Sequence, residues 1–194
     1  SAWATDLDES DLYSSGDTAK GECYKDSDFS MGELDITEGS TIGLDSRTLT
    51  AAVGERHDGT ANSGVRLLRS TDTDSHFITI DSSVGSGGGT GNQIEWLEFD
   101  ANEKGVRTII GCDMYCGAQN CLIHSGRWIM GVSTLIGISM GNKNIWAANN
   151  IIYDLYLNNG SSAATGVWGI YNTKLDWIAC VNNTIYNMRT NSSD

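Results

Sequence analysis

A short phrase recurs down the second half of the chain: QNCLIHS at 119–125, NNIIYDL at 149–155 and NNTIYNM at 182–188. Each copy runs polar, variable, Leu/Ile/Thr, Ile, His/Tyr, polar. The stretch WLEFD at 96–100 reads as a degenerate fourth copy with Glu98 where the others have Ile. Placing Leu97, Leu122, Ile151 and Thr184 in one column gives spacings of 25, 29 and 33 residues. Periods in this range belong to stacked repeats, because one such unit cannot bury its own apolar face without neighbours above and below.

Within each copy the apolar runs are five or six residues long, β-branched or aromatic, and closed by Asn, Gly, Ser or Asp. That is strand chemistry bounded by turn chemistry, and no segment sustains a helical stripe. Further strands are expected at Val106 to Ile110, Ile129 to Ile138, Asn144 to Ala147, Gly166 to Tyr171 and Trp177 to Val181. Upstream they are expected at Glu22 to Lys25, Glu33 to Thr37, Thr48 to Val53, Val65 to Leu68 and Phe77 to Asp81. Two or three short strands per repeat fit one coil of a parallel β-helix.

The phrases NNIIYDLY and NNTIYNM resemble the repeats of right-handed, pectate-lyase-like parallel β-helix proteins, in which an Asn at one coil corner stacks on the Asn of the next. The stretches GECYKD, GERHDGTANSGVRL and QIEWLEFDAN are similar to β-helix sequences of phage and environmental type. The resemblance implies an all-β, right-handed parallel β-helix with a buried corner ladder at Asn149 and Asn182. It implies little about activity, since this fold carries lyases, hydrolases, adhesins and viral spikes alike.

A single domain over 1–194 is expected, in three parts: an N-terminal cap (1–32), irregular early coils (33–92) and regular coils (93–194). Residues 1–15 offer a short capping helix with Trp3 and Leu7 on one face, and 82–92, SSVGSGGGTGN, reads as a loop thrown out between coils. Proline is absent where average usage predicts about ten, as suits ladders that cannot lose an N–H. The sequence begins without Met and ends just after a repeat phrase with no helix or polar coil to cover the last rung, which leads to the expectation of a longer parent chain or of a partner subunit on an open rung.

Twelve basic residues against 25 acidic ones give a net charge of −13, which repels the phosphate backbone and excludes nucleic acid as a natural partner. No stretch approaches a membrane span. More than half of the acidic residues precede residue 60 and read as a solvated cap; a Ca²⁺ site at Asp6, Asp8 and Asp11, or at Asp72 and Asp74, is the alternative. Five cysteines exclude a fully paired framework. Cys112, Cys116 and Cys121 with His124 superficially suggest zinc, but the spacing lacks paired CxxC or His ligands, and buried thiols filling small positions are favoured over zinc or a local disulfide.

If the chain is an enzyme, its chemistry has few places to sit. Glu95, Glu98 and Asp100 are expected on one strand, and Glu98 and Asp100, two apart, stand about 6.6 Å from each other, within the range a glycosidase pair requires. Asp154 falls two coils later, and His124 with Arg127 offers the acid–base and basic groups a lyase uses. Acidic pairs of this kind are common on solvated strands. GISMG at 137–141 matches a nucleophile elbow in letters only. Phe99, His124, Tyr153 and Tyr186 fall in one column and form a ring ladder: core if it faces inward, a platform for stacking sugar rings if outward. Parity leaves both open, because Ile123, Ile152 and Ile185 form an equally apolar neighbouring column. Asn159, Asn182 and Asn191 each begin an Asn-x-Ser/Thr sequon.

The sequence therefore leads to the expectation of a non-catalytic structural or adhesive module of a spike, fibre, capsid decoration or surface filament. Such a module is extracellular or on a virion, homo-oligomeric, glycan- or subunit-binding, and without a resident cofactor. The competing reading is a carbohydrate-active enzyme using Glu98, Asp100, His124, Arg127 or Asp154.

Overall fold

The computed structural model describes residues 17–37, 44–72, 75–81, 91–128, 134–157, 166–174 and 177–190. The capping helix expected at 1–15, the loop at 82–90, Asp6, Asp8, Asp11, Asp74, Asn159 and Asn191 lie outside them. The chain visits three sheets in rotation. Sheet A stacks β1 (Asp17–Cys23), β4 (Leu44–Ala51), β7 (Asn92–Glu95), β10 (Cys116–Gln119), β14 (Ile145–Ala148) and β17 (Ile178–Val181). Sheet B holds β2 (Phe29–Met31), β5 (Arg66–Arg69), β8 (Glu98–Asp100), β11 (Leu122–His124), β12 (Arg127–Trp128), β15 (Ile151–Leu157) and β18 (Thr184–Thr190). Sheet C holds β3 (Leu34–Thr37), β6 (His76–Asp81), β9 (Thr108–Cys112), β13 (Thr134–Met140) and β16 (Gly166–Asn172). Every ladder between these strands is parallel, so the molecule is an all-β parallel solenoid. Among the described residues no helix is long and apolar enough to cross a membrane.

The recurring phrase marks the corner from sheet A into sheet B and the strand after it. Leu122, Ile151 and Thr184 are neighbours on successive rungs, as their spacing predicts. The degenerate copy is offset by one residue: Glu98, not Leu97, stands beside Leu122, with Phe99 beside Ile123 and Asp100 beside His124. Glu95 is on sheet A, across the corner from Glu98 and Asp100, rather than on their strand.

The corner explains the offset. Trp96, Asn120, Asn149 and Asn182 each turn the chain with φ of 59°, 53°, 56° and 52°. Asn adopts this left-handed region more readily than most residues because its short side chain can hydrogen-bond locally. The buried ladder is formed by the residue after it. The Asn150 side chain accepts from Cys121 N–H at 2.9 Å and donates to Ala118 C=O at 3.0 Å. Its Nδ2 and its backbone N–H both reach Asn183 Oδ1, and Asn183 Nδ2 donates to Ala147 C=O at 2.8 Å. Asn149 and Asn182, expected as the buried ladder, are instead exposed, because a left-handed corner residue directs its side chain outward here. In the degenerate copy Leu97 occupies the slot of Cys121, Asn150 and Asn183.

Alternation then decides the faces. Leu67, Phe99, Ile123 and Ile152 of sheet B point inward against Ile78, Ile110 and Ile138 of sheet C and Ile94, Ala118 and Ala147 of sheet A. Sheet C is thinned by glycine to admit them. A Cβ on Gly137 would meet Ile152 at 2.8 Å and the Gly169 carbonyl at 2.6 Å, and one on Gly169 would meet Ile185 at 2.6 Å. Cys112, Cys116 and Cys121 are buried thiols, and all five cysteines are free; burial pushes the Cys121 thiol up to about 12. Ser139 of GISMG lies inside β13, on no sharp turn.

Candidate functional site

The outer face of sheet B concentrates the chain's polar and aromatic chemistry, and a loop explains why. Between β4 and β5 the chain makes a 3-10 turn at Val53–Glu55 and continues through RHDGTANSG before Val65. The loop holds its own shape: Asp58 Oδ1 accepts from Thr60 N–H at 2.9 Å, and Asp58 N–H donates to Ser63 Oγ at 3.1 Å. The Ser63 hydroxyl, and after it the Thr60 N–H and hydroxyl, hold the Asp58 carboxyl below its ordinary range by hydrogen-bonding it. The loop lies as a strap up the outside of the sheet. Arg56 covers the Trp96 ring at 4.8 Å, Asn62 N–H donates to Glu98 Oε2 at 2.8 Å, and a Cβ on Gly59 would stand 3.3 Å from Ile151 Cδ1. Leu122 points outward, yet it is fully buried and outside the lumen cluster.

Beside the strap sits an acid–base cluster. Glu98, Asp100 and His124 are 0%, 8% and 5% exposed, although all three alternate to the outer face. His124 Nε2 pairs with Glu98 Oε1 at 2.9 Å, and Nδ1 lies 2.7 Å from Ser125 Oγ. Asp100 Oδ1 accepts from Asn102 N–H at 2.7 Å and Oδ2 from Arg66 at 3.2 Å. Arg66 also pairs with Asp28, which holds the Asp28 carboxyl below its ordinary range and raises the guanidinium above its own. Every carboxylate oxygen of Glu98 and Asp100 is therefore engaged.

Above His124 the same column continues in rings. Tyr153 stacks on His124 with centroids 4.9 Å apart, and Tyr186 on Tyr153 at 5.1 Å and 4°. These are the rung spacing of a parallel sheet, so the register itself builds the stack. The ladder faces outward. Phe99 does not belong to it: it is fully buried in the lumen, edge-on to Phe77 at 5.9 Å, and the position beneath His124 is Asp100. Tyr186 is 50% exposed.

Burial pushes the Tyr153 phenol up to about 12. The folded state thus keeps a proton that the unfolded chain releases near pH ~10. This contribution to stability is complete below pH ~10 and is lost as pH rises toward 12. Spectrophotometric titration should show a tyrosinate absorbance step near pH 12 that is lost in Tyr153→Phe.

Next to the stack a groove of about 860 Å³ opens, lined by Glu103, Ser125, Arg127, Asp154, Tyr156 and Arg189, among others. Arg127 faces Glu103 at 3.5 Å, and Asn187 Nδ2 donates to Asp154. The sequence-predicted residues thus divide in two. Glu98, Asp100 and His124 meet beside the strap, which touches them through Glu98, whereas Arg127 and Asp154 line the open groove. Asp72 accepts from Gly105 N–H at 2.7 Å. Sequence reasoning missed the strap, Arg66 and Glu103; the turn-rich GERHDGTANSG marks a loop but not where it lies. Comparison with known protein families, curated proteins and solved structures finds no match.

Proposed function

We propose that this chain is a non-catalytic β-solenoid module that holds a glycan on the outer face of sheet B, as part of an extracellular or virion-surface spike, fibre or filament. The observation that carries this reading is the contrast on that face: the acid–base cluster is closed and fully engaged, while the Tyr153–Tyr186 stack and its groove are open. A general acid or base must come within hydrogen-bond reach of its substrate, and Glu98 with 0% exposure offers no such approach. The open surface has what sugar binding needs, namely the half-exposed Tyr186 ring and the edges of the stack beneath it beside carboxylates, amides and guanidinium groups. The net charge of −13 favours a neutral glycan over a polyuronate. The pectate-lyase-like resemblance of the Asn phrases is consistent with this fold use and supplies no activity.

A second reading keeps Asp154, Glu103 and Arg127 as the reactive groups of an enzyme working in the groove, since this is where carboxylates and a guanidinium share open space. Affinity electrophoresis across neutral and acidic polysaccharides, beside reducing-end and unsaturated-product assays, separates the two. We expect retention on a neutral polysaccharide without product release, weakened about 3- to 10-fold by Tyr186→Ala, the range an aromatic stacking contact supplies. Retention untouched by that substitution refutes the platform, and product release abolished by Asp154→Asn establishes the enzyme.

A further inference from the structure

We propose that Glu98, Asp100 and His124 form a binding site for a divalent transition-metal ion, a feature independent of the glycan reading. The register brings the groups together: Glu98 and Asp100 are two apart on β8, and His124 is the rung neighbour of Asp100 on β11. One ligand atom from each lies within 4.8 Å of the other two.

Charge is the first argument. Two carboxylates are buried on one outer face, and the adjacent cation, Arg66, is shared with the exposed Asp28. Buried negative charge is costly unless a positive charge stands against it. The His124 Nε2–Glu98 Oε1 contact and Arg66 stand against that charge, and a metal ion in the same place supplies a full positive charge.

Donor chemistry is the second. One imidazole nitrogen with two carboxylate oxygens suits Zn²⁺, Co²⁺ or Mn²⁺, and is too few oxygens for Ca²⁺, which takes six to eight. The surrounding hydrogen bonds already orient the set as outer partners of metal ligands do. Asn62 N–H holds one oxygen of Glu98, Asn102 N–H and Arg66 hold Asp100, and the Ser125 hydroxyl sits at His124 Nδ1, leaving Nε2 and Glu98 Oε1 facing each other. Two tetrahedral ligands at about 2.0 Å from a metal stand about 3.3 Å apart. The 2.9 Å contact therefore opens by only a few tenths of an ångström, whereas the Asp100 carboxylate, whose Oδ1 lies 3.8 Å from Nδ1, turns toward Nε2 to complete the set. A metal on Nε2 displaces the hydrogen of that contact, and the neutral imidazole keeps its one N–H at Nδ1, where Ser125 Oγ at 2.7 Å accepts it. The bound ion would tie together the strap, through Glu98 and Asn62, and the foot of the ring stack, through His124.

The test uses the full chain, stripped with chelator and titrated with Zn²⁺, Co²⁺ and Ca²⁺ by calorimetry and absorbance, with thermal denaturation alongside. We expect one equivalent of Zn²⁺ or Co²⁺, no Ca²⁺ uptake at the same concentrations, a raised Tm, and Co²⁺ d–d bands without a thiolate charge-transfer band. Glu98→Gln and Asp100→Asn, which keep side-chain volume, should each weaken binding by more than about 10-fold while circular dichroism stays that of the parent. Absence of uptake overturns the proposal. So does uptake that survives both substitutions, or that is lost in Cys180→Ser, the variant of the exposed cysteine.

Discussion

Replacing Asn150 with Leu should lower the unfolding free energy by about 2–6 kcal/mol, measured by denaturant titration. The side chain is fully buried and joins three coils: it accepts from Cys121 N–H, donates to Ala118 C=O and donates to Asn183. Leucine fills similar space but leaves the two backbone groups without partners, at about 1–3 kcal/mol each. Asn149→Ala, one residue earlier, should cost only about 1 kcal/mol, since there the loss is that of an exposed residue suited to left-handed φ. Equal effects at the two positions would refute the assignment of the ladder to the second Asn of each pair.

Phe99→Ala should cost about 3–5 kcal/mol, the range for truncating a buried aromatic ring. Phe99 is 0% exposed, stands between Leu67 and Ile123 on the inner face of sheet B, and meets Phe77 edge-on. No neighbour can fill the void without leaving its own rung. Were Phe99 in the outer ring column beside His124, the same substitution would shift stability by well under half this amount. A parallel Tyr186→Ala measurement, at a half-exposed ring, gives the scale for that outcome.

These two positions also show what the sequence could and could not reveal. Strand phrases at 122, 151 and 184 carry their own register, because a left-handed Asn two residues before each one (Asn120, Asn149, Asn182) fixes the corner. The copy at 96–100 has no Asn there. Trp96 sits where Asn120, Asn149 and Asn182 turn the chain, and Leu97 sits where the others place Cys or Asn, so apolar letters in a turn pull the alignment one residue early. In a strand a slip of one exchanges the faces, which is why Phe99 reads as a ring of the ladder and Asp100 does not. The pairing of Glu98 with His124 depends on that register and was beyond reach without it. The strap was illegible for another reason: its contacts join residues 56–62 to residues 96, 98 and 151, and no periodicity links them.

That strap changes how the molecule comes apart. A solenoid whose coils touch only their nearest neighbours is close to a one-dimensional chain of units, free to fray one at a time from either end. Here a segment rooted between β4 and β5 reaches Glu98 on β8 and the side chain of Ile151 on β15. Opening the rung at β15 therefore also uncovers part of a loop whose roots lie several coils below. The stretch from β4 to β15 is bound into one cooperative block, and piecemeal unfolding is left to the coils outside it.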